Sequence, residues 1–244
     1  MTWHGSARRH LGRRLLVCEV VTSTNDIAAT LAPGEAILAL AQTAGRGQYG
    51  RVWLSRPGAG LLLSVRLDPP PELRRPALLT ALVAVAVAEA VASLVGASPV
   101  VKWPNDLLLD GRKVCGILIE QRAALVAGVG LNLLGTAADF AAVGLPAATS
   151  LAEWGVRVSP AQAADAVLTH LDNFYHHLLA DPGPLEAAWQ DRLGLTGRIV
   201  VAESHDGSTV VGRLEAVGFD RLLVHTTAGP VALAPERVRQ LRAA

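Results

Sequence analysis

Between residues 77 and 95 the chain carries a single charge, Glu89, among nineteen mostly apolar residues. A run this long and apolar has two outlets. It crosses a bilayer, or it is a helix that the surrounding fold buries on every side. Its apolarity comes largely from Ala, the strongest helix former, and Glu89 would be costly in lipid. The reading is a buried helix near Arg75–Val95, which demands a core large enough to enclose it. A chain of 244 residues with 51% hydrophobic and 18% charged residues can build one, as a single large domain or two unequal ones.

Lys and Arg total 22 against 21 Asp and Glu, a net charge of +1. That balance leaves no cation excess for a phosphate backbone or an anionic membrane surface. Cys18 and Cys115 have no partners at metal-site spacing and are too few for a disulfide scaffold, which points to a reducing, cytoplasmic setting. Arg8, Arg9, Arg13 and Arg14 precede Leu15-Leu16-Val17-Cys18, but Glu19 cuts that apolar run too short for a secretory signal.

Along the chain, Leu15–Val21 reads as a strand, and Thr22–Asp26 supplies capping chemistry for a helix over Ile27–Leu31. Ala36–Ala41 and Leu61–Leu67 read as strands. Lys102–Asp106 reads as a loop because Pro104 disfavours helical geometry in the residue before it. Leu107–Leu109 and Val114–Glu120 form a hairpin through Asp110-Gly111, a type I′ signal, and Ala124–Leu133 continues the sheet. Ser159-Pro160 opens a helix to about Leu179, and Leu185–Leu193 is another. From Leu195 short β-segments alternate with turns, the pattern of a small barrel-like module.

The segment Gln42–Trp53 is the most unusual in the chain. Gly45, Gly47 and Gly50 leave backbone N–H groups free to curl round an anion, Arg46 and Arg51 add forked donors, and Trp53 offers a flat face for a base. Twenty of the 22 basic residues are Arg, and the two lysines, Lys102 and Lys113, both border unusual loops. A compact ammonium retained against that bias suggests a task a guanidinium cannot perform. Asn105 and Asp106 could hold a metal or a ribose, or form an ordinary Asx turn. Asn132 is a polar side chain in an apolar strand and reads as structural by itself. His170, His176 and His177 read as a solvated or half-buried helix face, because no carboxylate or thiolate cluster accompanies them.

Together these motifs resemble those of the biotin protein ligases. The resemblance rests on Ser23-Thr24-Asn25 and on Gln42-Thr-Ala-Gly-Arg-Gly-x-x-Gly-Arg-x-Trp53. It extends through Lys102-Trp-Pro-Asn-Asp106, Lys113-x-x-Gly116-Ile-Leu-x-Glu120 and Gly128-x-Gly130-x-Asn132-Leu133. It implies an α/β fold: a mixed-sheet catalytic domain of the biotin/lipoate ligase type over residues 1–194 and an SH3-like β-barrel over 195–244. The implied reaction joins biotin and ATP, with Mg²⁺, into biotinyl-5′-AMP and passes biotin to a lysine of a biotin carboxyl carrier protein of a carboxylase. No DNA or membrane partner is implied, and the oligomeric state, a homodimer included, stays open.

The resemblance also implies roles. Ser23, Thr24, Asn25 and Gln42 would bind the biotin ring system, with Gly47, Gln48 and Gly116 beside it. Lys113, Arg46 and Arg51 would serve catalysis, Arg46 and Lys113 also touching biotin. Trp53, Lys102, Asn105, Asn132 and Arg51 would contact ATP. One departure stands out: the family loop often reads Gly-Arg-Gly-Arg-x-Gly-Arg, and Gln48 replaces the inner Arg. Larger family members carry a winged-helix DNA-binding domain ahead of this core; 22 residues before Ser23 are too few for one, so repression is not expected. The rival readings are a lipoate–protein ligase, against which the Lys-Trp-Pro-Asn-Asp segment argues, and a non-catalytic biotin-binding regulator, against which the retained lysines and arginines argue.

Overall fold

The apolar run is a helix, Pro76–Val95, and twelve of its twenty residues are buried, including the unbroken stretch Ala81–Ala88. Burial on all sides follows from its place in the molecule. The computed structural model describes residues 1–244. In chain order the elements are β1 (Thr2–Gly5), β2 (Arg14–Val21), α1 (Thr24–Ala28), β3 (Ala36–Gln42), β4 (Gly60–Leu67) and α2, the apolar helix. Next come β5 (Val100–Lys102), β6 (Asp106–Leu109), β7 (Arg112–Gln121), β8 (Leu125–Asn132), α3 (Ala137–Ala142), α4 (Pro160–Leu178) and α5 (Gly183–Leu193). The chain ends with β9 (Ile199–Ser204), β10 (Thr209–Val217), β11 (Leu222–Thr226), β12 (Gly229–Leu233) and β13 (Val238–Ala243).

Strands β1 to β8 form one mixed sheet in the order β1-β2-β3-β4-β8-β7-β6-β5. Only β2 and β3 run parallel, joined by the short crossover that holds α1. Helix α2 packs on β6 and β7 with one side and meets α4 and α5 with the other, so no face reaches solvent along its middle. Glu89 is answered within the protein: the Arg192 guanidinium at the end of α5 donates to its carboxylate and to the Pro99 carbonyl. Gly96, at φ 70°, closes the helix in the left-handed conformation that glycine adopts without strain.

Strands β9 to β13 form a separate antiparallel sheet in the order β12-β11-β10-β9-β13. Its apolar residues, such as Val200, Leu214 and Leu222, belong to the same core cluster as α2 and the large sheet. Two tryptophans tie the halves together. Trp103 donates its indole N–H to the Val238 carbonyl at 2.8 Å, and its ring lies 5.6 Å from that of Trp189, which stacks on Phe219.

Several local expectations hold. Asp110 and Gly111 have φ values of 47° and 72°, the pair of positive angles a type I′ turn requires. Ser159 and Gln162 form a reciprocal capping box ahead of Pro160. The first helix differs: it spans Thr24–Ala28, three residues earlier than its expected start. Ser23 precedes it in extended geometry and makes no side-chain cap. The Thr24 N–H goes instead to Gln42 Oε1, which allows the turn to begin within the motif. Strands β1 and β13 and helix α3 have no counterpart in the sequence reading.

Candidate functional site

One end of the large sheet carries a cavity of about 1340 Å³. All fourteen residues given roles by the resemblance line it, from Ser23 just before α1 to Asn132 at the end of β8. That volume exceeds the ~300–1,000 Å³ usual for a single small ligand.

The α1 end is a closed polar network. Gln42 Oε1 accepts from the Thr24 N–H at 2.7 Å and from the Thr24 hydroxyl at 2.9 Å. The Ser64 hydroxyl, fully buried on β4, lies 2.7 Å from Thr24 Oγ1 and 2.6 Å from Asn25 Oδ1. Asn25 Nδ2 donates to Glu120 Oε2 at 2.7 Å, so hydrogen bonds hold both ends of its carboxamide. Gly128 makes room for it: a Cβ there would stand 2.4 Å from Asn25 Oδ1.

The middle of the cavity has a glycine floor. Gly116 and Gly130 are register partners on β7 and β8, and the Trp53 indole lies across them. A Cβ on Gly130 would come within 2.3 Å of that ring, and one on Gly116 within 2.9 Å. The Lys-x-x-Gly spacing of 113 to 116 also gains a physical meaning. In a regular strand residues three apart face opposite sides. Opposite Leu107–Leu108, however, β7 carries one extra residue, Val114, and this bulge brings Lys113 and Gly116 to the same face. Lys113 Nζ lies 2.6 Å from Asp106 Oδ1 and 5.7 Å from the Trp53 ring centre. Behind it, burial pushes the Cys115 thiol well above its ordinary pKa, so it is no nucleophile.

The Gly/Arg segment is a narrow loop over this floor. Trp53 N–H donates to Gly45 O at 3.0 Å and Gly47 N–H to Arg51 O at 2.7 Å, leaving Gln48–Gly50 as the tip. Tyr49 takes φ 58° there and rests against His205 in the turn between β9 and β10, ring centres 5.6 Å apart. Arg46 forms a fork to Asp26 at 2.9 and 2.7 Å and a further bond to Glu120 at 2.9 Å. The Arg46 hydrogen bond holds Asp26 below its ordinary range. For Glu120, burial opposes the shift, but bonds from Arg46 and Asn25 outweigh it and its pKa falls too.

Lys102, Asn105 and Asn132 stand at the other end. Lys102 and Asp106 face each other across the tight turn between β5 and β6, in which the Trp103–Pro104 peptide is cis. Asn105 Nδ2 donates to Ile117 O and Asn132 Nδ2 to Thr149 O, leaving each carboxamide oxygen without a protein partner. No group of three or more His, Cys, Asp or Glu side chains is placed to hold a metal. The sequence reading missed Ser64 and Asp26, the α3 flank with Phe140, Val143 and Leu145, and Arg239 and Gln240 from β13; all but Asp26 line the cavity or brace its wall.

The family model for biotin/lipoate A/B protein ligases matches residues 17–133, the stretch that holds all these motifs. The bifunctional ligase/repressor BirA of Bacillus subtilis (strain 168) is 32% identical over 235 residues, covering 90% of this chain and 71% of that protein. The biotin–[acetyl-CoA-carboxylase] ligase of Paracoccus denitrificans is 34% identical over 200 residues, covering 75% of this chain and 82% of that one. Among solved structures, the Aquifex aeolicus biotin protein ligase in complex with biotin and ATP superposes with a TM-score of 0.80 at 24% identity, covering 94% of this chain and 99% of the other. The chain belongs to the biotin protein ligase family.

Proposed function

We propose that this protein is a biotin–protein ligase, an ATP-dependent, AMP-forming enzyme. One observation carries the reading: a single cavity, too large for one small ligand, unites a polar cradle, a glycine-floored slot under an indole, and Lys113. The biotin ring system occupies the cradle of Ser23, Thr24, Asn25 and Gln42. ATP occupies the slot toward Trp53, Lys102, Asn105 and Asn132. A biotin carboxylate oxygen attacks the α-phosphorus of ATP, the bond to the β-phosphate bridging oxygen breaks, and pyrophosphate leaves. The amine of a carrier lysine then attacks the acyl carbon, and AMP departs with the bonding pair.

Both steps build negative charge on phosphate oxygens, so the protein contributes position and fixed cationic donors. Lys113 and Arg51 are those donors, Gly47 and Gln48 belong to the loop over the adenylate with Arg46 at its base, and Gly116 permits close approach. Mg²⁺ fits this donor set as a companion of the ATP phosphates, because it keeps several waters and takes one or two protein oxygens at most. Asn105 and Asn132 offer such oxygens; bound there, the ion would neutralise phosphate charge. The acceptor is a biotin carboxyl carrier domain, the setting is cytoplasmic, and residues 1–194 act as the catalytic unit with 195–244 as an SH3-like companion.

Pyrophosphate release with ATP and either biotin or lipoate tests the reading. Release with biotin alone is expected. Release with lipoate alone assigns the rival ligase, and biotin binding without release assigns a regulator.

A further inference from the structure

The family-type loop carries two arginines, Arg46 and Arg51, and their situations differ completely. Arg51 is exposed at the tip's edge. The Arg46 guanidinium is committed to two carboxylates. One terminal nitrogen donates to Asp26, the other to both Asp26 and Glu120, and Nε is buried without a partner. Its second terminal nitrogen has used both protons and Nε has no path to a ligand, so a single N–H, on the nitrogen that bonds only Asp26, is left over. Turning Arg46 toward a phosphate would break all three bonds, leaving Asp26 without its ion-pair partner and Glu120 with only the exposed Arg122, 3.5 Å away, beside an anionic ligand.

Most surface ion pairs contribute little, but this one has the features that mark exceptions. The fork is bidentate, the Glu120 side chain is only 16% exposed, and three groups form one network. It also joins three elements. Asp26 follows Ser23-Thr24-Asn25 on α1, Glu120 shares β7 with Lys113 and Gly116, and Arg46 is in the loop. The neighbouring backbone agrees: Thr43 N–H donates to Val21 O at 3.0 Å and Ala44 N–H to Thr22 O at 2.8 Å.

Resting on the ligase reading, we propose that Arg46 is a positioning residue: with Asp26 and Glu120 it pins the base of the Gly/Arg loop to the biotin cradle before ligand arrives, and it screens those two carboxylates from the anionic substrate. Phosphate contact falls to Arg51 and Lys113. Only the tip, Gln48–Gly50, remains free to respond to ligand.

The test compares Arg46→Ala with the same variant carrying Asp26→Asn and Glu120→Gln, which keep hydrogen-bond acceptors but remove charge. Arg46→Ala is expected to raise the KM for biotin about tenfold or more while kcat for pyrophosphate release stays within about threefold. Removing the two carboxylates on that background should recover about threefold or more of the KM, a coupling only residues of one network show. A large kcat loss at unchanged KM, or no recovery, would overturn the proposal. Trypsin acting on the ligand-free protein tests the pinning independently of any chemistry. Cleavage after Arg51 should run about tenfold faster in Arg46→Ala than in wild type, because an unpinned base opens more often. Equal cleavage overturns the anchor even if the protein catalyses no reaction with biotin.

Discussion

At the scale of single residues, the site separates cations that are occupied from cations that are free. Lys113 is held by Asp106 yet stays at the slot, beside the Trp53 ring. Lys113→Ala should lower the rate of adenylate formation by roughly 10²–10³, the usual effect of deleting a donor to developing negative charge. Lys113→Arg should recover little, because a planar fork cannot replace a point charge above Gly116. Rapid-quench measurement of biotinyl-AMP reads both variants, and a near wild-type rate in either removes Lys113 from the chemistry. Gln48 is the complementary case. A neutral amide stands at the loop tip where the family motif often carries Arg, so the adenylate is expected to lack one charge-assisted hydrogen bond of about 1.5–3 kcal/mol. The intermediate should therefore dissociate faster from wild type than from Gln48→Arg, and bystander amines should gain more biotin. A wild-type off-rate equal to or slower than the variant's would show that another group supplies the contact. These residues were legible because their types and spacings are rare. Their partners were not: Ser64 meets Thr24 across 40 residues, Arg46 meets Glu120 across 74, and Asn25 meets Glu120 across 95. A serine in an apolar strand and an acid at a strand's end carry no local mark of such roles.

At the scale of elements, the floor of the cavity depends on two strands having no side chains at one place. Gly130→Ala would put a methyl 2.3 Å from Trp53 Cε2, and the ring must lift out of the slot. The substitution keeps strand geometry, so the fold should survive. Calorimetric titration should show ATP binding weakened about tenfold or more, by loss of a seated aromatic face, with biotin binding changed far less. Equal weakening of both ligands would mean that the floor serves the whole cavity. Elements with strong local signals emerged from the sequence: the Ala-rich helix by composition, the Asp110-Gly111 hairpin by turn chemistry, the α4 start by its cap. Those without such signals did not. Helix α3 is six residues long and exposed, and β1 and β13 are edge strands. The start of α1 was misplaced because the Thr24 N–H is satisfied by Gln42 Oε1, eighteen residues away, a partner that no local pattern marks.

At the scale of the whole molecule, a buried carboxylate fastens the N-terminal segment to the helical layer. Asp172 on α4 accepts the backbone N–H groups of Arg9, His10 and Leu11 at 2.9, 2.7 and 2.8 Å. Burial alone would raise its pKa, but these three donors outweigh it and hold the carboxyl below its ordinary range. A folded pKa below the unfolded one contributes stability that is present above the unfolded value and lost as pH falls through the folded one. Asp172→Asn should therefore lower Tm at neutral pH, and the gap to wild type should close below about pH 4, where the unfolded chain's aspartate is protonated. Calorimetric scans across that range check it; a gap independent of pH would deny the charge its part. The central claim concerns the entire chain at once, cradle, slot and lysine acting on two substrates and a protein acceptor. Its most direct test incubates the protein with biotin, ATP, Mg²⁺ and a biotin carboxyl carrier domain, and weighs the carrier by mass spectrometry. The account predicts one biotin joined as an amide to one carrier lysine, with AMP and pyrophosphate formed in equal amounts. An unmodified carrier with ATP intact would contradict it.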